Sequence, residues 1–225
     1  MTNDPLTKIL SSAEVVLFDF DGPICSVFDG YPAPQITREL LARAHQVRGE
    51  LEPELDQASS PHELLLRAAG DPELATQLEV ALQKAELTAV ETAKPTPGAT
   101  EAIAACIATG RRAAIVSNNY ADAVTEYLAN AGLTDSIAHV EGRNPSDPML
   151  MKPAPHLIEK AIAALGTVGS ACVFIGDQTT DMEAGKAAGV STIGYANKPG
   201  KADALAAAGA DVVLTTMSAL AKAIR

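Results

Sequence analysis

The chain has 225 residues, 47% hydrophobic and 20% charged, a balance that buries a core and excludes an intrinsically disordered protein. Its 17 Lys and Arg against 28 Asp and Glu give a net charge of −11, which argues against a nucleic acid or an anionic membrane as partner, since both need clustered cations. A small phosphorylated ligand stays open, because one metal ion and one lysine reverse the local field.

In chain order, the apolar run at 15–18 is followed by acidic and Gly-Pro punctuation and predicts a strand buried on both faces of a parallel sheet. From 24 to 94 the period is helical, with helices predicted at 37–47, 60–69 and 72–93 and no good strand. Ser60-Pro61-His62-Glu63 reads as a capping box with proline at the first helical position, and Pro95-Thr96-Pro97-Gly98 stops the run. Helices at 99–109, 121–131, 155–165, 180–188, 201–208 and 218–224 then alternate with strands at 113–116, 171–175, 190–193 and 211–214, and a weaker strand at 137–140. This alternation predicts an α/β fold: a doubly wound, mostly parallel sheet from residues 1–23 and 95–225, with a helical unit, 24–94, inserted after the first strand.

Cys25, Cys106 and Cys172 lie far apart without CxxC spacing and read as buried thiols of a reducing compartment. The opening MTNDPLTKIL lacks a cationic start followed by an apolar stretch, and the longest uncharged run, 161–176, is broken by Gly166 and Gly169. The expectation is a cytoplasmic protein.

Two acidic pairs stand at strand ends. Asp19 and Asp21 follow the first strand, and residues two apart in extended chain share a face. Two carboxylates held together repel unless a cation or a shared proton intervenes. An Asp-Gly turn at a strand end explains the pair equally. Asp177 and Asp181 follow the strand at 171–175, and oxygen-only ligands suit Mg²⁺. Thr180-Asp181-Met182-Glu183 is also a capping box, which accounts for Asp181 but not for Asp177. Ser117, Asn118 and Asn119 close another strand, where a hydroxyl and backbone N–H groups either hold a phosphoryl oxygen or open a helix. Lys152, in Lys152-Pro153-Ala154-Pro155, is pinned just ahead of a helix, where the dipole does not favour a cation, or is a solvated loop lysine.

Taken together, Asp-x-Asp-Gly, then Ser, then Lys before a helix, then Gly-Asp-x-x-x-Asp, in this order over the whole chain, resemble the haloacid dehalogenase superfamily of aspartyl-nucleophile phosphohydrolases. The insertion after the first motif is similar to the subgroup with a helical cap and a Rossmann-like core, which includes phosphoglycolate phosphatase-like and β-phosphoglucomutase-like enzymes. The resemblance implies that Asp19 attacks phosphorus and that Asp21 serves as general acid and base. It implies Mg²⁺ held by Asp19, the Asp21 backbone carbonyl and Asp177, with Asp181 in or near the shell, and phosphoryl oxygens bound by Ser117, Asn118 and Lys152. An acidic Asp21 points to phosphate esters, since dehalogenase and phosphonatase members lack it. Pro23 and Gln178 depart from the family pattern.

The segment 24–94 carries six basic and twelve acidic residues, which favours a small phosphomonoester over a polyphosphorylated substrate. Phe28, Tyr31, Arg43, His45 and His62 are the residues there that would reach a substrate. Arg43, His45 and His62 are read as solvated helix-face residues, and Phe28 and Tyr31 as packing. His139 and His156 have no second histidine or cysteine at metal spacing and are read as structural or exposed. Transfer to a sugar, as in a phosphomutase, is the alternative. A receiver-like phospho-aspartate module is a poorer fit, being shorter and without a helical insertion. A dinucleotide enzyme lacks its GxGxxG after the first strand. A monomer or homodimer acting on a small phosphorylated metabolite is expected.

Overall fold

The computed structural model describes residues 4–225; Met1–Asn3, part of the segment read for a leader, lie outside the described residues. A helix not anticipated from the sequence, α1 (Pro5–Ser11), precedes the first strand. It is too short to show a period, and it is held by Leu6 and Leu10 packing into the core. Strand β1 (Val15–Phe18) is buried throughout. Its alternation decides which helices it carries: Val16 and Phe18 join the apolar cluster on one face, Val15 and Leu17 the cluster on the other.

The chain then leaves the sheet through β2 (Cys25–Ser26) and passes through α2 (Ala33–Arg48), the single turn α3 (Pro53–Asp56), α4 (Pro61–Arg67) and α5 (Pro72–Val90). It returns through β3 (Lys94–Pro95), which pairs antiparallel with β2, Cys25 opposite Pro95. The strand-free reading of this segment is corrected at its ends, where both crossings are tied into one two-residue ribbon too short to leave a sequence pattern. The helices make their own apolar cluster from Ile36 and Leu40 of α2, Leu64 of α4 and Leu74, Leu78 and Leu82 of α5. The box at Ser60 forms by half: Ser60 Oγ accepts from Glu63 N, while the Glu63 carboxylate takes the N–H and hydroxyl of Ser59 rather than of Ser60.

Beyond β3 strand and helix alternate: α6 (Ala99–Ala108), β4 (Arg112–Val116), α7 (Ala121–Asn130), β5 (His139–Glu141), α8 (His156–Ala164), β6 (Cys172–Gly176), α9 (Thr179–Ala187), β7 (Ser191–Tyr195), α10 (Lys201–Ala207), β8 (Val212–Leu214) and α11 (Met217–Ile224). The six sheet strands are all parallel in the order β5-β4-β1-β6-β7-β8. Residues of α6, α7 and α11 pack into the same cluster as Val16 and Phe18, and residues of α8 and α9 into that of Val15 and Leu17. The sheet is therefore covered on both faces. The chain runs from β1 to one side of the sheet and then crosses to the other, so β1 lies at the switch point, flanked by β4 and β6. In an open parallel sheet the crevice at the carboxyl ends of such strands is where ligands bind. No helix of the described residues is long and apolar enough to cross a membrane.

Candidate active site

Asp19, Ser117 and Asp177 each follow the last residue of three adjacent strands, β1, β4 and β6. Asp19 N still donates to Ile175 O at 2.8 Å, which fixes the Asp19 side chain at the rim of the sheet. The next turn is tight. Gly22 adopts φ +110°, its N–H donates to Cys25 O at 2.7 Å, and its carbonyl accepts from Thr96 Oγ1 at 2.6 Å. A Cβ at Gly22 would lie 2.6 Å from Asp177 Cγ, so only glycine lets this turn pass beneath the second acidic group.

One oxygen each from Asp19, Asp177 and Asp181 lies within 4.8 Å of the others, and all three residues are buried. Lys152 is drawn into this cluster from the loop before α8. Its Nζ lies 2.8 Å from Asp19 Oδ1 and 2.6 Å from Asp181 Oδ1, donates to Val116 O at 3.3 Å and sits 5.2 Å from the Phe174 ring centroid. At 4% exposure it is no solvated loop lysine. Burial opposes its charge, but the Asp181 and Asp19 carboxylates outweigh burial and hold its pKa above the ordinary lysine value. Asp19 is pushed up to about 8, first by burial and then by Asp181, with Lys152 opposing and Asp177 adding to the rise. Asp21 is raised by burial, against the hydrogen bond that its Oδ1 accepts from Val27 N at 2.9 Å.

Asp181 does two jobs. Its Oδ2 accepts from the N–H groups of Asp177 (3.0 Å) and Gln178 (2.9 Å), leaving Oδ1 for Lys152. The helix cap is thus a box between Gln178 and Asp181, not one between Thr180 and Glu183, because α9 starts a residue earlier than the sequence suggested. Gly176 makes room, since a Cβ there would lie 2.3 Å from Asp181 Cβ. Gln178, a departure from the family pattern, is the N-cap of this helix.

The donor set fits a hard divalent cation. Beyond the three clustered carboxylates, Asp177 Oδ1 is buried with no hydrogen-bond partner among the described residues, an acceptor that a bound cation would satisfy. The Asp21 carboxylate lies outside this cluster, and its Oδ1 accepts from Val27 N.

Ser117 is buried, its Oγ donating to Asn119 Oδ1 at 3.0 Å and accepting from Asn119 N at 3.1 Å. The Asn118 side chain clamps Lys152. Its Oδ1 accepts from Lys152 N at 2.8 Å and its Nδ2 donates to Lys152 O at 3.2 Å. The Asn118 carbonyl in turn accepts from Arg143 Nη1 at 2.6 Å, which leaves the Asn118 backbone N–H for a ligand.

Asp19, Asp21, Ser117, Asn118, Lys152 and Asp181 line a cavity of about 430 Å³ that the helical unit borders with Phe28, Pro61 and His62. His62 corrects the reading as a solvated helix-face residue: it reaches over the cavity, Nε2 lying 3.3 Å from Glu86 Oε1. Arg43 and His45 stay on the exposed face, bonded to Gln77 and Asp56.

Behind the cavity is a polar network that sequence reasoning missed. Glu86 of α5 accepts from Asn119 Nδ2 (2.9 Å), from Tyr120 N (3.1 Å) and from Arg143, and Arg143 also donates to both oxygens of Glu79. Burial would raise the Glu86 carboxyl, but Arg143 foremost, with His62, lowers it to about 2. The available signal was the spacing of Glu79 and Glu86, two helical turns apart beside Leu78 and Leu82 on the face that buries against the rest of the molecule.

A doubly covered parallel sheet with carboxylates and one lysine converging at the ends of β1, β4 and β6, under a helical insertion, defines an open α/β enzyme with an acidic, lysine-bearing site. The model of the haloacid dehalogenase-like hydrolase family matches residues 13–189, and the chain belongs to that family. Solved structures share the fold at low identity. A predicted phosphatase from Clostridium acetobutylicum is 17% identical with a TM-score of 0.75, over 94% of this chain and 98% of that one. CbbY from Rhodobacter sphaeroides, in complex with phosphate, is 19% identical with a TM-score of 0.67, over 92% and 96%. A predicted phosphoglycolate phosphatase from Haemophilus somnus is 17% identical with a TM-score of 0.67, over 95% and 99%. No curated protein sequence matches the chain.

Proposed function

We propose that the chain is a Mg²⁺-dependent phosphatase that removes phosphate from a small phosphomonoester through an aspartyl-phosphate on Asp19. The observation that carries this reading is the placement of Asp19 beside Lys152 and Asp181 at the end of β1, opening on a cavity that also holds Asp21. Asp19 attacks phosphorus; the Asp19 oxygen–phosphorus bond forms as the ester oxygen–phosphorus bond breaks. Asp21, raised by burial and held by Val27 N, gives its proton to the departing oxygen. It then takes a proton from the water that cleaves the acyl phosphate, and inorganic phosphate leaves with Asp19 restored. Lys152 and the Ser117 hydroxyl bind the transferring phosphoryl oxygens. Asp19, Asp177 and the Asp21 carbonyl, with Asp181 close by, would hold Mg²⁺, which supplies charge neutralisation for nucleophile and phosphate. The cavity of about 430 Å³ and its partly acidic lining favour a small metabolite over a polymer.

Phosphate release from a generic aryl phosphate tests the reading. Activity should require added Mg²⁺, disappear with a chelator, and be abolished in a folded Asp19→Asn variant. Turnover undiminished in that variant would overturn the nucleophile assignment.

A further inference from the structure

The two oxygens of Asp177 meet different surroundings. Oδ2 accepts from three side chains: Lys201 Nζ, Asn197 Nδ2 at 3.0 Å and Gln178 Nε2 at 3.2 Å. Oδ1 is buried and has no partner among the described residues. Lys201 Nζ also donates to the backbone carbonyl of Asp177 at 2.8 Å, so it grips the residue at two points. Neither Lys201 nor Asn197 belongs to the constellation found in the sequence; Asn197 lies between β7 and α10, and Lys201 opens α10. The turn at Gly200, with φ +84°, delivers the lysine as the first residue of α10, where the helix dipole disfavours a cation; the Asp177 carboxylate offsets that cost.

Charge balance gives this contact a role. Three buried carboxylates converge in the cluster, and Lys152 pairs with Asp19 and Asp181 only. Lys201 is the second ammonium and pairs with the third carboxylate, Asp177. The division of oxygens then matters: the lysine occupies Oδ2 and leaves Oδ1 open.

We propose that Lys201 is a positioning residue of the metal site, an internal counter-ion that keeps Asp177 assembled with Oδ1 presented for a divalent cation and lowers the affinity for that cation. The inference rests on the proposed Mg²⁺ site and goes beyond it by assigning how its affinity is set. Removing the ammonium leaves the carboxylates undercompensated. The metal-free protein then loses stability, while a dication is attracted more strongly. One substitution therefore moves two quantities in opposite directions, which a purely structural contact would not do.

The test is MgCl₂ titrated into metal-free wild type and into Lys201→Met, Lys201→Gln and Lys201→Arg by calorimetry, with thermal melts of each protein without the ion. The two neutral variants should melt below wild type and bind Mg²⁺ about three- to tenfold more tightly. Lys201→Arg should stay nearer wild type than either. Should Lys201→Met fail to fold, Lys201→Gln decides, since its amide retains a donor for the Asp177 carbonyl. Equal or weaker Mg²⁺ binding by the neutral variants, with wild type binding, overturns the inference alone. Absence of Mg²⁺ binding by wild type overturns the proposed function and the inference together.

Discussion

Arg143 and Glu86 form a buried two-pronged ion pair between the sheet layer and the helical insertion, Nη1 to Oε1 at 3.1 Å and Nη2 to Oε2 at 2.9 Å. Both side chains are fully shielded from solvent, and Arg143 also donates to both oxygens of Glu79 and to Asn118 O at 2.6 Å. The helices that roof the cavity are thus fastened to the loop after β5, and through Glu86 and Asn119 the fastening reaches the Ser117 hydroxyl.

Removing the guanidinium would leave two buried carboxylates without the cation they share. Arg143→Met should therefore destabilise the protein by about 3–5 kcal/mol, read from urea unfolding. A loss below about 1 kcal/mol would mean that the insertion is held by its apolar contacts alone.

Much of this architecture was legible in the chain, and the gaps have physical reasons. The buried strands announce themselves as short apolar runs, and β1, β4 and β6 place Asp19, Ser117 and Asp177 correctly because each follows its strand directly. Lys152 was legible as a candidate, though its burial was not: a lysine reads as solvated until its two carboxylate partners are known. Glu86 stayed hidden because an acidic residue in a helical period reads as solvent-facing, and Arg143 lies 57 residues away. Asn118 was read for its backbone N–H, and the hold of its side chain on the loop bearing Lys152, 34 residues away, leaves no local pattern to signal it. Lys201 joins Asp177 across 24 residues with no local pattern to signal it.

Gly22 supports both acidic pairs through its backbone. Its φ of +110° is strained for any side chain, and an added Cβ would lie 2.6 Å from Asp177 Cγ. Gly22→Ala should cost about 1–3 kcal/mol from the conformation alone. It should also displace Asp177, so that the Mg²⁺-induced rise in melting temperature shrinks relative to wild type. Melts with and without MgCl₂ separate the two effects, and a variant with an unaltered Mg²⁺ response would show that the turn does not position that carboxylate.

Among the described residues Lys152 is the side-chain cation paired with Asp19, and Asn118 fixes its backbone from both sides. Lys152→Met keeps the length of the stem and removes the charge aimed at the transferring phosphoryl group. Phosphate release from an aryl phosphate should fall about 10²–10³-fold. Asn118→Ala should act through the lysine, with a smaller loss in the same assay. A larger loss for Asn118→Ala than for Lys152→Met would assign the amide a direct part.

Glu86 also sets a pH dependence. Its folded-state carboxyl lies at about 2, against an ordinary value of 4.5, because Arg143 and His62 outweigh the effect of burial. The unfolded chain therefore takes up a proton at Glu86 at a pH where the folded chain does not. A depressed carboxyl contributes stability that is fully present above the unfolded value and is lost as pH falls toward the folded one. Unfolding free energy should accordingly decline as the pH drops from about 4.5 to about 2, with about 3 kcal/mol of the loss traceable to this group. Glu86→Gln removes the titration. That variant should be less stable than wild type at neutral pH, with a shallower decline across the acid window. Parallel acid-unfolding profiles for the two proteins would show that the buried pair with Arg143 does not govern the response.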